Sequence, residues 1–166
     1  MTVVAHKICM LGDFGVGKTS LVARFVRSTF SEKYLTTVGV KVDSREVALP
    51  DQDPIKLVIW DIAGRSSLDA LSMNYLRGAS ALLLVADGTR ESSLSSALNL
   101  LMQSRSALPE AIIALAVNKL DLIDRWEVVP DVLKELRRSL PVFETSALSG
   151  DGVADIFAEI AARLAT

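Results

Sequence analysis

The run Gly12-Asp13-Phe14-Gly15-Val16-Gly17-Lys18-Thr19 leaves the rest of the chain little freedom. It fits the pattern G-x-x-x-x-G-K-[ST], a loop whose successive backbone N–H groups converge on a phosphate. Just before it, Lys7-Ile8-Cys9-Met10-Leu11 reads as a short buried strand. Just after it, Leu21, Val22, Phe25 and Val26 fall on one face of a helix. Strand, glycine loop and helix in that order are the setting such a loop requires. Gly12 and Gly17 permit a close approach where a Cβ would clash. Asp13, Gly15, Val16 and Gly17 line up as nucleotide-binding backbone, with Ser20 behind them. Lys18 is placed to reach β- and γ-phosphate oxygens, and the Thr19 hydroxyl to bind Mg²⁺. The N-terminus of the following helix adds partial positive charge.

Further along, Phe30 to Val40 shows no helical stripe and reads as a loop running into an extended strand near Val38 to Leu49. Pro50-Asp51-Gln52-Asp53-Pro54 reads as a turn and Ile55 to Trp60 as the next strand, so these two strands should pair antiparallel. Ala81 to Ala86 and Ala111 to Val117 are continuous apolar runs, the mark of strands buried on both faces. Leu94, Ala97, Leu98, Leu101 and Met102 mark a helix. Val129, Val132, Leu133 and Leu136 mark another, with Pro130 in its first turn. Pro141 to Thr145 is a last short strand, and Val153, Ile156, Phe157, Ile160 and Leu164 mark a closing helix. Strands alternating with helices predict an α/β fold whose mostly parallel sheet is covered on both faces. No repeat, low-complexity tract or linker divides residues 1–166, so one domain is expected.

Ligands on such sheets bind beyond the carboxyl ends of the strands. There Trp60-Asp61-Ile62-Ala63-Gly64 ends a strand with an acid suited to holding Mg²⁺ beside Thr19. Asn118-Lys119-Leu120-Asp121 follows another strand. A carboxylate at Asp121 can accept from the N1–H and exocyclic amine of guanine, an arrangement adenine does not offer. Asn118 can bond the far edge of the base, and the Lys119 stem can lie along its ring. A site of this kind rejects the wrong base by leaving buried groups unpaired. In Glu144-Thr145-Ser146-Ala147-Leu148, the small Ala147 would let a backbone N–H reach a base carbonyl.

Composition excludes several other classes. A net charge of -2 argues against a large basic nucleic-acid surface. The single cysteine, Cys9, cannot form an internal disulfide and reads as core packing in a reducing cytosol. No apolar run approaches the ~20 residues of a membrane span. The sequence also shows neither a signal peptide nor a C-terminal cysteine for prenylation, so a cytoplasmic protein without a direct membrane anchor is expected.

Taken together, the loop, Trp60-Asp61-Ile62-Ala63-Gly64, Tyr75-Leu76-Arg77-Gly78-Ala79, Asn118-Lys119-Leu120-Asp121-Leu122 and Glu144-Thr145-Ser146-Ala147 resemble a small GTPase of the Ras superfamily, closest to the Rab type. The resemblance spans nearly the whole chain. It implies a P-loop NTPase three-layer fold with a six-stranded, mostly parallel sheet, one strand antiparallel. It also implies a GTP/GDP-binding molecular switch with Mg²⁺. By the same resemblance Phe30 flanks the guanine, and Thr37 binds Mg²⁺ and the γ-phosphate. Asp61 reaches Mg²⁺ through water, the Gly64 N–H holds the γ-phosphate, and the Ala147 backbone, between Ser146 and Leu148, assists base reading. The loops near Thr37 and Gly64 then order with GTP and release on hydrolysis. Val42, Trp60 and Tyr75 occupy the positions of an effector-binding aromatic cluster, with Val42 where phenylalanine is usual. Packing against neighbouring elements explains them equally well.

Two departures bear on catalysis. Arg65 stands where the family places a glutamine that orients the attacking water, and arginine has donors but no acceptor. Phe14 stands where the family has a small residue. Both point to slow intrinsic hydrolysis. Arg65 is open to three readings: an arginine finger supplied in cis, an exposed residue of a mobile loop, or a partner to another protein or a neighbouring acid. The alternative to a slow GTPase switch is a GTP-binding interaction module that barely hydrolyses and works by nucleotide-dependent assembly.

Overall fold

The computed structural model describes residues 2–31, 37 and 39–166. The glycine loop joins β1 (Val4–Gly12) to α1 (Lys18–Arg27). β2 (Val40–Leu49) and β3 (Gln52–Ile62) follow, then α2 (Ala70–Leu76), β4 (Ala81–Asp87) and α3 (Glu91–Ala107). β5 (Ile112–Asn118) leads through a short 3₁₀ helix, Leu120–Arg125, to α4 (Pro130–Leu136), β6 (Val142–Glu144) and α5 (Val153–Leu164).

The strands form one six-stranded sheet in the order β2-β3-β1-β4-β5-β6. β2 runs antiparallel to β3, and every other pairing is parallel. Side chains alternate across a strand, and the central strands are apolar on both sides. Ile8 and Met10 of β1 therefore face one core with Leu21, Val22 and Phe25 of α1 and Ile156, Phe157 and Ile160 of α5. Cys9 and Leu11 face the other, with Leu76 of α2, Leu94, Ala97 and Leu100 of α3, and Leu133 of α4. This is the three-layer P-loop architecture that the resemblance implied. Phe25 and Phe157 stack with ring centroids 3.9 Å apart, clamping α1 to α5. Cys9 is fully buried, and burial pushes its thiol up to about 12.

Some details differ from the sequence reading. The turn after β2 is tighter, since β3 already begins at Gln52. Asp51 takes a left-handed φ of 56° there, and Pro54 is tolerated because the register of the two strands shifts between Val47 and Leu49. Val38, expected in β2, lies outside the described residues. α2 and the 3₁₀ helix carry too little apolar periodicity in so few residues to be read beforehand. Met102 of α3 is 74% exposed, because that helix buries Ser93, Leu100 and Ser104 instead. In the short α4 only Leu133 is buried, whereas Val132 and the preceding Val129 are exposed. No helix among the described residues is long and apolar enough to cross a membrane.

Candidate functional site

β1, β3, β4, β5 and β6 all end on the same edge of the sheet, and their following loops surround a cavity of about 520 Å³. Gly12 and Gly17 of the loop are set by close neighbours. A Cβ on Gly12 would lie 2.5 Å from the Val85 carbonyl oxygen. One on Gly17, which caps α1 at φ 101°, would lie 2.3 Å from Asn118 Nδ2. Gly15, Gly17, Lys18, Thr19 and Ser20 line the cavity. Asp13 and Val16 do not line it: Val16 is buried in the core, and the Asp13 carboxylate accepts from the Phe14 N–H at 2.8 Å.

Lys18 is 6% exposed, and its ammonium donates to the carbonyls of Gly12 and Asp13, each at 3.1 Å. Burial draws its pKa down to about 8, with Asp61 and Asp13 acting against the shift. Asp61, one residue before the end of β3, is almost fully buried. Its Oδ2 accepts from Thr19 Oγ1 at 2.5 Å and, more distantly, from Thr37 Oγ1 at 3.4 Å, and the two hydroxyls lie 2.7 Å apart. The buried Oδ1 of Asp61 has no partner. Burial raises the Asp61 carboxyl pKa, while the Thr19 hydrogen bond and Lys18 hold it down. A hard cation taking oxygen ligands suits this trio of two hydroxyls and a half-satisfied carboxylate.

At the far end of the cavity, Asn118 and Asp121 come together with Ala147 and Leu148, while Phe30 lines the wall. Asn118 Nδ2 donates to the Val16 carbonyl at 3.0 Å, and its Oδ1 accepts from Thr145 Oγ1 and the Ala147 N–H. Ser146 lies outside the lining, where its hydroxyl donates to Asp121 Oδ1 at 2.7 Å. Lys119, at a left-handed φ of 72°, donates to the Gly15 carbonyl at 3.1 Å. The two halves of the site are therefore tied directly to each other.

Thr37 and Gly64 also line the cavity. A Cβ on Gly64 would fall 2.5 Å from Phe14 Cα, so the loop after β3 lies against the phosphate-type loop. The Arg65 N–H donates to the Gly12 carbonyl at 2.9 Å, but its side chain turns outward. There Nε donates to the Ala63 carbonyl, and NH1 pairs with Asp69, the N-cap of α2, at 2.9 Å. Of the three readings of Arg65, this geometry displays the neighbouring acid. Phe14 is 60% exposed at the cavity's edge.

Sequence reasoning passed over Asp87, the last residue of β4, which follows its apolar run as Asp61 does in β3. That shared position, an acid closing an apolar run, was the available signal. Buried, it accepts from Thr89, from Arg90 at 3.5 Å and from Lys119 at 2.9 Å. Burial works to raise its pKa, but these donors outweigh it and leave the carboxyl below the usual range. Arg90 donates onward to the Phe14 carbonyl at 2.7 Å. Trp126 begins the approach to α4. It packs, since a Cβ on Gly88 would sit 2.1 Å from its ring, and its Nε1 also donates to the Lys119 carbonyl at 2.8 Å.

Residues 7–166 match the profile of the Ras family. The chain belongs to that family. This Ras-family chain is 36% identical over 161 residues to the Ras-related protein Rab-22A of Homo sapiens, covering 95% of this chain and 82% of that one. It is 38% identical to the Ras-related protein RABF2a of Arabidopsis thaliana, over 95% and 80% of the two chains. The GTP-binding protein ypt5 of Schizosaccharomyces pombe is 35% identical, over 97% and 78%. The protein is thus a Rab-like small GTPase of the Ras superfamily.

Proposed function

We propose that this Rab-like GTPase is a switch of one G domain, residues 1–166, that binds GTP and GDP with Mg²⁺ and hydrolyses GTP slowly when unaided. The observation that carries the reading is the single cavity lined at one end by Lys18 and Thr19 and at the other by Asn118, Asp121 and Ala147. A buried ammonium held only by carbonyls gains a counter-charge from a polyphosphate. Asp121 accepts from the guanine edge, Asn118 and the Ala147 N–H take the opposite edge, and Phe30 and the Lys119 stem flank the ring. Thr19, Thr37 and Asp61 would hold Mg²⁺, which supplies charge neutralisation between the phosphates. Thr37 and the Gly64 N–H would sense the γ-phosphate and switch their loops.

The slow rate rests on Arg65 and Phe14. The Arg65 guanidinium has no acceptor for the attacking water, and its tether to Asp69 keeps it outside the cavity lining. Val42, Trp60 and Tyr75 are proposed as the surface for effectors and regulators. Val42 faces Trp60 across the β2–β3 pair, and the Trp60 and Tyr75 rings lie 6.4 Å apart.

Single-turnover GTP hydrolysis of wild type, Arg65→Gln and Arg65→Ala tests the proposal. Glutamine should accelerate hydrolysis about tenfold, the equivalent of one well-placed hydrogen bond of about 1.4 kcal/mol, while alanine changes little. Slowing by both substitutions would instead make Arg65 a working catalytic group. The same tether favours a second reading, an interaction module with little hydrolysis. Absence of turnover in all three proteins would decide for it.

A further inference from the structure

Arg24 is not part of any motif that led to the site, and its side chain does not line the cavity. It lies on α1, whose first residues form the phosphate end, yet its guanidinium reaches across to the loop after β6. Nε donates to the Ala147 carbonyl at 2.8 Å and NH2 to the Leu148 carbonyl at 2.6 Å. NH1 makes a longer contact of 3.4 Å with the carbonyl of Ser28, the C-cap of α1. The stem is held too: a Cβ on Gly150 would rest 3.7 Å from Arg24 Cδ.

The fork grips consecutive carbonyls from one side. A planar guanidinium has its donors in fixed directions, so two such bonds fix the orientation of both groups, which a lysine ammonium does not do. Fixing the carbonyl of Ala147 restrains the short backbone that also carries the Ala147 N–H. That N–H makes only a long bond of 3.3 Å, to Asn118 Oδ1, an oxygen already shared with Thr145. The N–H shares its peptide plane with the Ser146 carbonyl, which accepts from the Gly150 N–H at 2.8 Å, and Arg24 holds the next plane, so the two contacts pin Ala147 from both sides.

We infer that Arg24 is a specificity-positioning residue, aiming the Ala147 N–H at the 6-oxo group of guanine from the helix that begins at the phosphate loop. The inference rests on the guanine-reading role proposed above. It assigns base discrimination to a residue that touches neither base nor phosphate. Asp121, held by Ser146 rather than by Arg24, reads the other side of the ring independently.

Two affinity ratios separate these roles. Equilibrium binding of GDP is compared with 6-thioguanosine diphosphate, which weakens only the 6-position acceptor, and with inosine diphosphate, which lacks only the exocyclic amine. Arg24→Ala should lower the preference for GDP over the thio analogue by roughly tenfold, as expected when a buried site loses one oriented hydrogen bond, and leave the preference over inosine diphosphate unchanged. Arg24→Gln, which keeps one donor direction, should fall between.

Equal weakening of all three nucleotides would overturn the inference, because a purely structural role lowers them together. So would unchanged ratios, or failure of both variants to fold. If wild type itself prefers GDP over neither analogue, the guanine-reading proposal fails first, and this result is distinct from the others.

Discussion

At the scale of single residues, similar chemistry has opposite meanings according to burial and partners. Cys9, Lys18 and Asp61 are all buried polar or titratable groups, but Cys9 sits in an apolar core, its thiol donating to the Tyr75 carbonyl at 3.4 Å. Its thiol is pushed to about 12, so the reactive thiolate is scarce at ordinary pH. Native protein at pH 8 should resist iodoacetamide for hours and react within minutes once unfolded, as mass spectrometry would show. Rapid alkylation of the native chain would mean that β1 opens. Lys18 and Asp61 instead keep donors or lone pairs unspent at the cavity. The distinction between them was legible in sequence, because the glycine pattern and the acid ending a strand specify chemistry by position. The outward turn of Arg65 was not. It depends on Asp69, an exposed acid that caps α2, a helix too short to leave a periodic trace.

At the scale of elements, the sheet's carboxyl edge works because loops from different strands hold one another. Apolar runs and turn residues located the strands, but the bonds between loops have no sequence period. Asp87 shows this best. It joins β4 to Lys119 on the base-reading loop and to Arg90, and both of these reach carbonyls of the glycine loop. Asp87→Asn keeps the shape and removes the charge. It should speed GDP dissociation by roughly tenfold, the loss of a charge-assisted bond, and mant-GDP chase would measure it. An unchanged off-rate would confine Asp87 to structure. Stability gives a second readout. Because the folded Asp87 pKa is lowered, the stability it contributes is full above the unfolded value of 3.8 and is lost as pH falls through the folded value. Acid unfolding followed by circular dichroism should therefore be less steep below pH ~4 in the variant.

At the scale of the whole molecule, two cores flank one sheet, and α1 and α5 meet at the Phe25–Phe157 stack. Phe157 is fully buried, so Phe157→Ala should cost about 3–5 kcal/mol, read by denaturant titration. A loss below about 1 kcal/mol would show that the core collapses into the space. The stack also sets an order of events during synthesis. The glycine loop and α1 leave the ribosome early, but Phe157, Ile160 and the fork-gripped carbonyls at 147 and 148 are made only after all six strands. β1, at the centre of the sheet, must likewise wait for β3 and β4 on either side. A nascent chain therefore carries the phosphate-binding sequence long before it can retain a nucleotide, and nucleotide capture waits until α5 has been made and has docked on α1.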